Sequence, residues 1–166
     1  EIHLKIKAEK RYNNLYKLTA GAESMLRRDS LSYMYPPAIQ TGGEISHSIN
    51  SLFLINDFNL SASLQGNVSA RLEQTSLNDH WQILPRASLT YKMKDFYLSA
   101  IAGLYQQLPE NSFLLRNQHL SAERCWQYIL GAYHEANGKT FRLEVYNKKY
   151  HNLATNLNSI YTSDGY

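Results

Sequence analysis

Six histidines, His3, His47, His80, His119, His134 and His151, are the first candidates for chemistry in this 166-residue chain. A metal site needs ligands at recurrent short spacings, and these residues are scattered singly without one. The single cysteine, Cys125, has no partner for a disulfide and joins no Cys/His cluster that could hold zinc. Ser30 and Ser32 stand near Asp29, but no Gly-x-Ser-x-Gly elbow accompanies them to expose a nucleophile. Glu123 beside Arg124, and Arg142 two residues before Glu144, offer an acid and a cation each; in alternating segments such pairs read as ion pairs rather than acid–base machinery. The expectation is therefore no catalytic residue, no metal, no cofactor and no enzyme activity.

The elements that would position these residues are written in a period of two. From Leu60, the even positions read Leu60, Ala62, Leu64, Gly66, Val68, Ala70 and Leu72, against Ser61, Ser63, Gln65, Asn67, Ser69, Arg71 and Glu73 on the odd ones. A helix would scramble this file, whereas a strand sends the two sets to opposite faces. The pattern returns at Ile2, Leu4, Ile6 and Ala8, at Phe96, Leu98, Ala100, Ala102 and Leu104, and at Phe141, Leu143 and Val145. About eight strands are expected, near 1–12, 15–29, 44–55, 58–74, 82–93, 95–107, 120–134 and 139–150, forming an all-β antiparallel meander.

The connections alternate in length. Short turns are expected at Asn13-Asn14, Asn56-Asp57, Lys94 and Ala136-Asn137-Gly138-Lys139, where Asn, Asp and Gly tolerate the positive φ of tight hairpins. Long connections are expected over 30–43, 75–81 and 108–119, with a fourth from His151. Tight turns at one end and long loops at the other are the habit of outer-membrane barrels, and strands near ten residues suit a tilted crossing of a bilayer. Aromatics flank the short turns: Tyr12 and Tyr16, Phe53 and Phe58, Tyr91 and Phe96, Tyr133 and Phe141. All but Tyr133 are expected on the apolar face, as an interfacial girdle. Trp81, Trp126 and Tyr128 fall on that face toward the other end. The opposite face collects Lys5, Lys7, Lys17, Arg71, Glu73, Arg86, Arg142, Glu144 and Lys148; in a barrel it lines a wet lumen.

Composition removes other classes. The formal charge of +3 comes from 17 basic and 14 acidic residues spread along the chain, with no basic block for nucleic acid. No run approaches the ~18 apolar residues of a membrane helix, and the opening Glu-Ile-His-Leu lacks a signal peptide's order; for an exported protein the expectation is that the beginning lies elsewhere.

A family resemblance enters at Leu84-Pro85-Arg86-Ala87-Ser88-Leu89-Thr90-Tyr91-Lys92. This stretch resembles the Pro-Arg-x-Ser-x-x-Tyr-Lys strand of TonB-dependent receptor barrels, followed by a strand ending in Tyr105-Gln106. Leu120 to Gly131 is similar to that family's Leu-x-x-Glu-x-x-x-x-Tyr-x-Leu-Gly, with Cys125 and Trp126 departing from its usual residues. Phe141 to Tyr146 and Tyr150 to Leu153 resemble its Phe-Arg-x-Glu-x-Tyr and Tyr-x-Asn-Leu. The specific part runs from about Phe53 to Leu153.

The resemblance implies that residues 1–166 are a partial barrel. The complete barrels have about 22 strands, so a plug domain and further strands are implied elsewhere. It also implies localisation in the outer membrane, contact with membrane lipid, a TonB partner acting through the plug, and an imported nutrient such as a siderophore, cobalamin, glycan or peptide. Loop and upper-lumen residues meet substrate in such a receptor, which makes Tyr33, Tyr35, Trp81, Tyr105, Gln107 and Arg116 the candidates here. The rival is a soluble β-sandwich of lectin or adhesin type. In that fold Leu64, Val68, Leu98 and Leu143 must be buried between two sheets; in a barrel section they form an exposed band.

Overall fold

The computed structural model describes residues 1–35, 39–115, 117 and 120–154, with backbone alone at 33–35, 39–41 and 78–79. Eight strands follow the chain: β1 (Ile2–Arg11), β2 (Tyr16–Tyr35), β3 (Ile39–Asn59), β4 (Leu64–Thr75), β5 (Asn78–Met93), β6 (Phe96–Gln107), β7 (Glu123–Ala136) and β8 (Lys139–His151). A four-residue helix, α1 (Asn111–Leu114), lies between β6 and β7. The strands form one antiparallel sheet in the order β1-β2-β3-β4-β5-β6-β7-β8. Each pairs with its sequence neighbours, as a meander requires.

A single sheet has no second layer against which to bury a face. Val68, Leu98 and Leu143 are 49%, 42% and 54% exposed, and Leu64 is half-buried. That exposure overturns the sandwich. Register places Ile2, Leu4 and Ile6 of β1 on one face with Leu52 and Leu54 of β3, Ile83 and Leu89 of β5, Leu130 of β7 and Val145 of β8, all of them exposed. From Tyr16 to Leu26 this apolar band on β2 covers about 25 Å of membrane normal, at a rise of about 3.4 Å per residue and a tilt of about 40°. Above it, on the same face, Arg28 pairs with Glu44, so the band has a polar border.

That border explains where the expected connections fail. β2 and β3 stay paired as far as Tyr35↔Ile39, so 30–43 is largely a hairpin extension, and β4 and β5 pair to Thr75↔Asn78, which leaves no long loop at 75–81. Past the band the outer face turns polar (Arg28, Ser30, Glu44 and Ser46) and the other face mixes Asp29 and His47 with Leu31 and Ile45, so the apolar-out alternation vanishes while the ladder continues. The turn expected at Asn56-Asp57 lies at 60–63 instead, where the amide of Leu60 donates to the carbonyl of Leu64 at 2.8 Å. The Leu60/Ala62 alternation runs on through that turn and disguises it. The turns at Asn13-Asn14, Lys94 and Asn137-Gly138 lie where expected, with Lys94, Asn137 and Gly138 at positive φ.

Phe53 is a second correction. It faces the charged side, where its ring lies over Gly21: a Cβ there would come within 2.4 Å of both the ring and the carbonyl oxygen of Ile6. The glycine makes space for the ring, and the ring covers the glycine's bare backbone. Because one of those neighbours is backbone, Gly21→Ala is expected to separate β1 from β2 and cost about 1–3 kcal/mol. The denaturant midpoint of the membrane-folded protein would fall accordingly; an unchanged midpoint would show that the contact is readily relieved.

Candidate functional site

The charged face is organised in rows across the strands. Lys5, Glu23, Ser51, Glu73 and Gln82 are successive register partners, and Lys7, Gly21, Phe53, Arg71 and Leu84 form the next row. Arg71 bridges two carboxylates, with Nη1 2.6 Å from Glu23 and Nε 2.8 Å from Glu73. His3 Nε2 lies 2.6 Å from the other oxygen of Glu23, and Gln106 Nε2 donates to Glu73 at 3.3 Å. Toward the short turns, Lys17 sits between Asp57 at 3.0 Å and Glu9 at 3.6 Å.

One cation beside this network stands outside it. Arg86 makes no ion pair among the described residues; its guanidinium lies 4.3 Å from the centre of the Tyr105 ring. Gly103, its register partner, makes that possible, because a Cβ there would meet Arg86 Cγ at 2.9 Å. Lys5 lies 5.3 Å above the Phe53 ring. Lys5, Phe53, Ile55, Arg71, Leu84 and Arg86 line a pocket of about 140 Å³. Cations held against aromatic rings can take an anionic, flat-faced group, since the guanidinium keeps donors free while stacked.

Above the pocket the sheet opens. Pro85 has no N–H to give β6, and the β5–β6 ladder stops at Arg86↔Gly103 while β6–β7 continues to Gln107↔Glu123. The β6–β7 connection folds back over the charged face. Leu114 of α1 is 0% exposed, and Ile45 and Leu84 are 1% and 2%. Leu115 lies against Gly43, where an added Cβ would approach it to 2.5 Å. Beside it are His47, 5% exposed, and Asp29, which is bonded to Asn111 and pairs with Arg27 at 2.8 Å.

Burial opposes ionisation of Asp29, but the bonds from Arg27 and Asn111 outweigh it and hold the carboxyl below its usual range. Burial pushes the His47 imidazole below its ordinary 6.5, against the pull of Asp29. Both depressed values work in the same direction. The stability of this contact is full above the unfolded pKa and is lost as pH falls through the folded one, first at His47. Amide exchange across 109–115 is expected to quicken as pH drops below about 6 relative to pH 7, after correction for intrinsic rates; a pH-independent rate would rule out this coupling.

The five residues expected to line a lumen, Arg71, Glu73, Arg86, Arg142 and Glu144, share this face, Arg142 and Glu144 as a 2.6 Å pair. Tyr105 joins them through Arg86, and Gln107 donates to Glu123 at 2.7 Å. Trp81 does not: it is 48% exposed on the apolar face, in a groove with Leu4, Ile6 and Leu52. Tyr33 and Tyr35 belong to β2 rather than a loop, with side chains outside the described part; Arg116 lies outside the described residues. Sequence reading missed Phe53, Leu84, His47 and the loop contacts. Parity announced Lys5 and Arg71, but nothing local announces that Arg71 meets Glu23, 48 residues away.

Comparison with known proteins agrees with this architecture. The family described as TonB dependent receptor-like, beta-barrel matches residues 8–166. The ferric enterobactin receptor PfeA of Pseudomonas aeruginosa superposes with a TM-score of 0.69 at 16% identity, over 89% of this chain and 26% of that one. The siderophore receptor PirA of the same organism gives 0.65 at 17%, over 89% and 31%. The alcaligin outer membrane receptor FauA of Bordetella pertussis gives 0.65 at 16%, over 92% and 29%. The chain thus spans about a quarter to a third of the solved receptors it matches. No curated protein matches it.

Proposed function

Because this chain belongs to the TonB-dependent receptor β-barrel family over residues 8–166, a family of receptors rather than enzymes, we propose that it is one section of the wall of an outer-membrane importer. The observation that carries the reading is the pairing of an apolar band about 25 Å tall with a charged, ion-paired face on the other side of the same sheet. Such a sheet is stable where lipid meets one face and a water-filled or plug-filled lumen the other. β1 and β8 are exposed along their whole length. Unpaired edges in hydrocarbon cost several kcal/mol per group, so further strands of the receptor pair with both. The plug, the TonB contact and the remaining wall belong to the rest of that receptor.

The cargo is a bulky nutrient. Within the range of siderophore, cobalamin, glycan and peptide, Arg86, stacked on Tyr105 without a carboxylate partner among the described residues, favours an anionic chelate such as a ferric siderophore. PirA is named as a siderophore receptor, PfeA as a ferric enterobactin receptor and FauA as an alcaligin receptor, while another structural neighbour is a copper transporter. Tyr105, Gln107, Tyr33, Tyr35 and Arg116 are proposed as contacts nearer the outside; Trp81 is not, since it faces the lipid side. The test is uptake of radiolabelled ferric siderophores by cells carrying the full-length receptor. Uptake is expected to vanish without TonB, and Arg86→Ala to weaken binding about tenfold. Uptake that persists without TonB, or no binding of any anionic chelate, would contradict the reading.

A further inference from the structure

At the short-turn end of the apolar face, four side chains stand in one cross-strand row: Met93 pairs with Phe96, Phe96 with His134, and His134 with Phe141. Met93, Phe96 and Phe141 are 43%, 48% and 61% exposed, and the Phe96 and His134 rings lie 4.1 Å apart. Directly beyond the row come Lys94, in the β5–β6 turn, and Lys139, the first residue of β8 after the adjoining β7–β8 turn. The turns are tied together by the Glu135 amide donating to the Asp95 carbonyl at 3.1 Å.

Both lysines are exposed, and among the described residues neither pairs with a carboxylate or covers a ring. Polar groups of the charged face at the same level are all engaged: Arg142 with Glu144 at 2.6 Å, the Tyr133 hydroxyl donating to Glu135 at 2.7 Å, and Lys92 5.4 Å above Tyr97. Beside the first short turn Lys10 is engaged as well, lying 4.8 Å above Tyr12. Asp95, between the two lysines, forms no ion pair among the described residues.

Two unpaired ammonium groups and an imidazole N–H, set at the rim of an apolar row, present donors at the height where lipid headgroups lie. We infer that Lys94, His134 and Lys139 bind the phosphate of an anionic phospholipid in the leaflet facing the short turns, with its acyl chains against Met93, Phe96 and Phe141. The inference rests on the membrane reading above. Charge complementarity and continuity with the apolar band select a lipid over a soluble anion, because a free phosphate gains nothing from the row of rings.

Native mass spectrometry of the full-length receptor, titrated with phosphatidylglycerol or phosphatidylcholine of identical chains, tests it. The tightest phosphatidylglycerol is expected to bind about tenfold more strongly than phosphatidylcholine. Lys94→Gln with Lys139→Gln should abolish that preference, while Lys149→Gln at the opposite end keeps it. Retention of the heat-modifiable gel shift shows that each variant is folded. Equal binding of the two lipids, a preference that survives the double substitution, or inorganic phosphate alone binding as tightly would overturn the inference. A receptor recovered in the outer membrane without the preference refutes this site alone; one not recovered there refutes the membrane reading and the site with it.

Discussion

Ala100→Arg is expected to destabilise the membrane-folded receptor by about 2–4 kcal/mol, whereas Ser99→Arg, one residue away on the same strand, should cost less than about 1 kcal/mol. Ala100 is exposed on the apolar face, midway along β6 between the aromatic row at Phe96 and Leu104. An arginine there must carry its guanidinium into hydrocarbon or thin the bilayer around itself. Ser99 faces the charged side, opposite Gly131, whose missing side chain leaves room. Reversible urea unfolding from phosphatidylcholine vesicles would measure both. A third substitution separates lipid from a packed core. Leu98→Trp adds volume without penalty against fluid acyl chains, but would cost about 1–3 kcal/mol in a close-packed interior.

Arg71→Ala should be the most damaging single change on the other face, at about 2 kcal/mol. Its guanidinium joins Glu23 and Glu73, whose side chains are only 13% and 14% exposed. Removing it leaves two carboxylates facing one another in partial burial, the situation in which breaking a pair costs more than making it gained. The figure lies below that of a fully buried pair because Arg71 is itself 28% exposed. Arg71→Lys, with a single ammonium, cannot reach both carboxylates in the same way and should recover only part of the loss. Adding Glu73→Gln to Arg71→Ala should also recover part, because it removes one of the opposed charges. A double variant as unstable as Arg71→Ala would mean that packing, not charge, is responsible.

What the sequence made legible follows from the range of each signal. Alternation is local, so the faces of Leu64 to Leu72, of β6 and of β8 could be read directly, and so could the parity of Arg71, Arg86 and Arg142. It fails in two directions. Where the outer face turns polar, in the upper halves of β2 and β3, a strand continues without its mark and looks like a loop. Where apolar residues happen to alternate through a turn, at Leu60 and Ala62, a turn looks like a strand. Phe53 illustrates a different limit. Its type argued for the lipid side, yet register with Gly21 gives the ring a place on the charged face that no local pattern encodes. The pocket is less legible still, since Lys5, Phe53, Arg71 and Arg86 come from four strands and meet only through pairings that sequence does not state. The inward fold of the β6–β7 connection depends on Pro85 ending one ladder, a cue visible in the sequence but interpretable only once its neighbour is known.

The central claim is that one face of this sheet meets lipid. Spin labels placed singly from Tyr97 to Gly103 on β6 of the full-length receptor, in its membrane and with the buried Cys125 replaced by serine, test it most directly. Collision with dissolved oxygen should be high at Leu98, Ala100 and Ala102 and low at Tyr97, Ser99, Ile101 and Gly103, while a polar nickel chelate shows no access to the first set. Low collision with both reagents at Leu98, Ala100 and Ala102, or the loss of the two-residue period, would contradict the account.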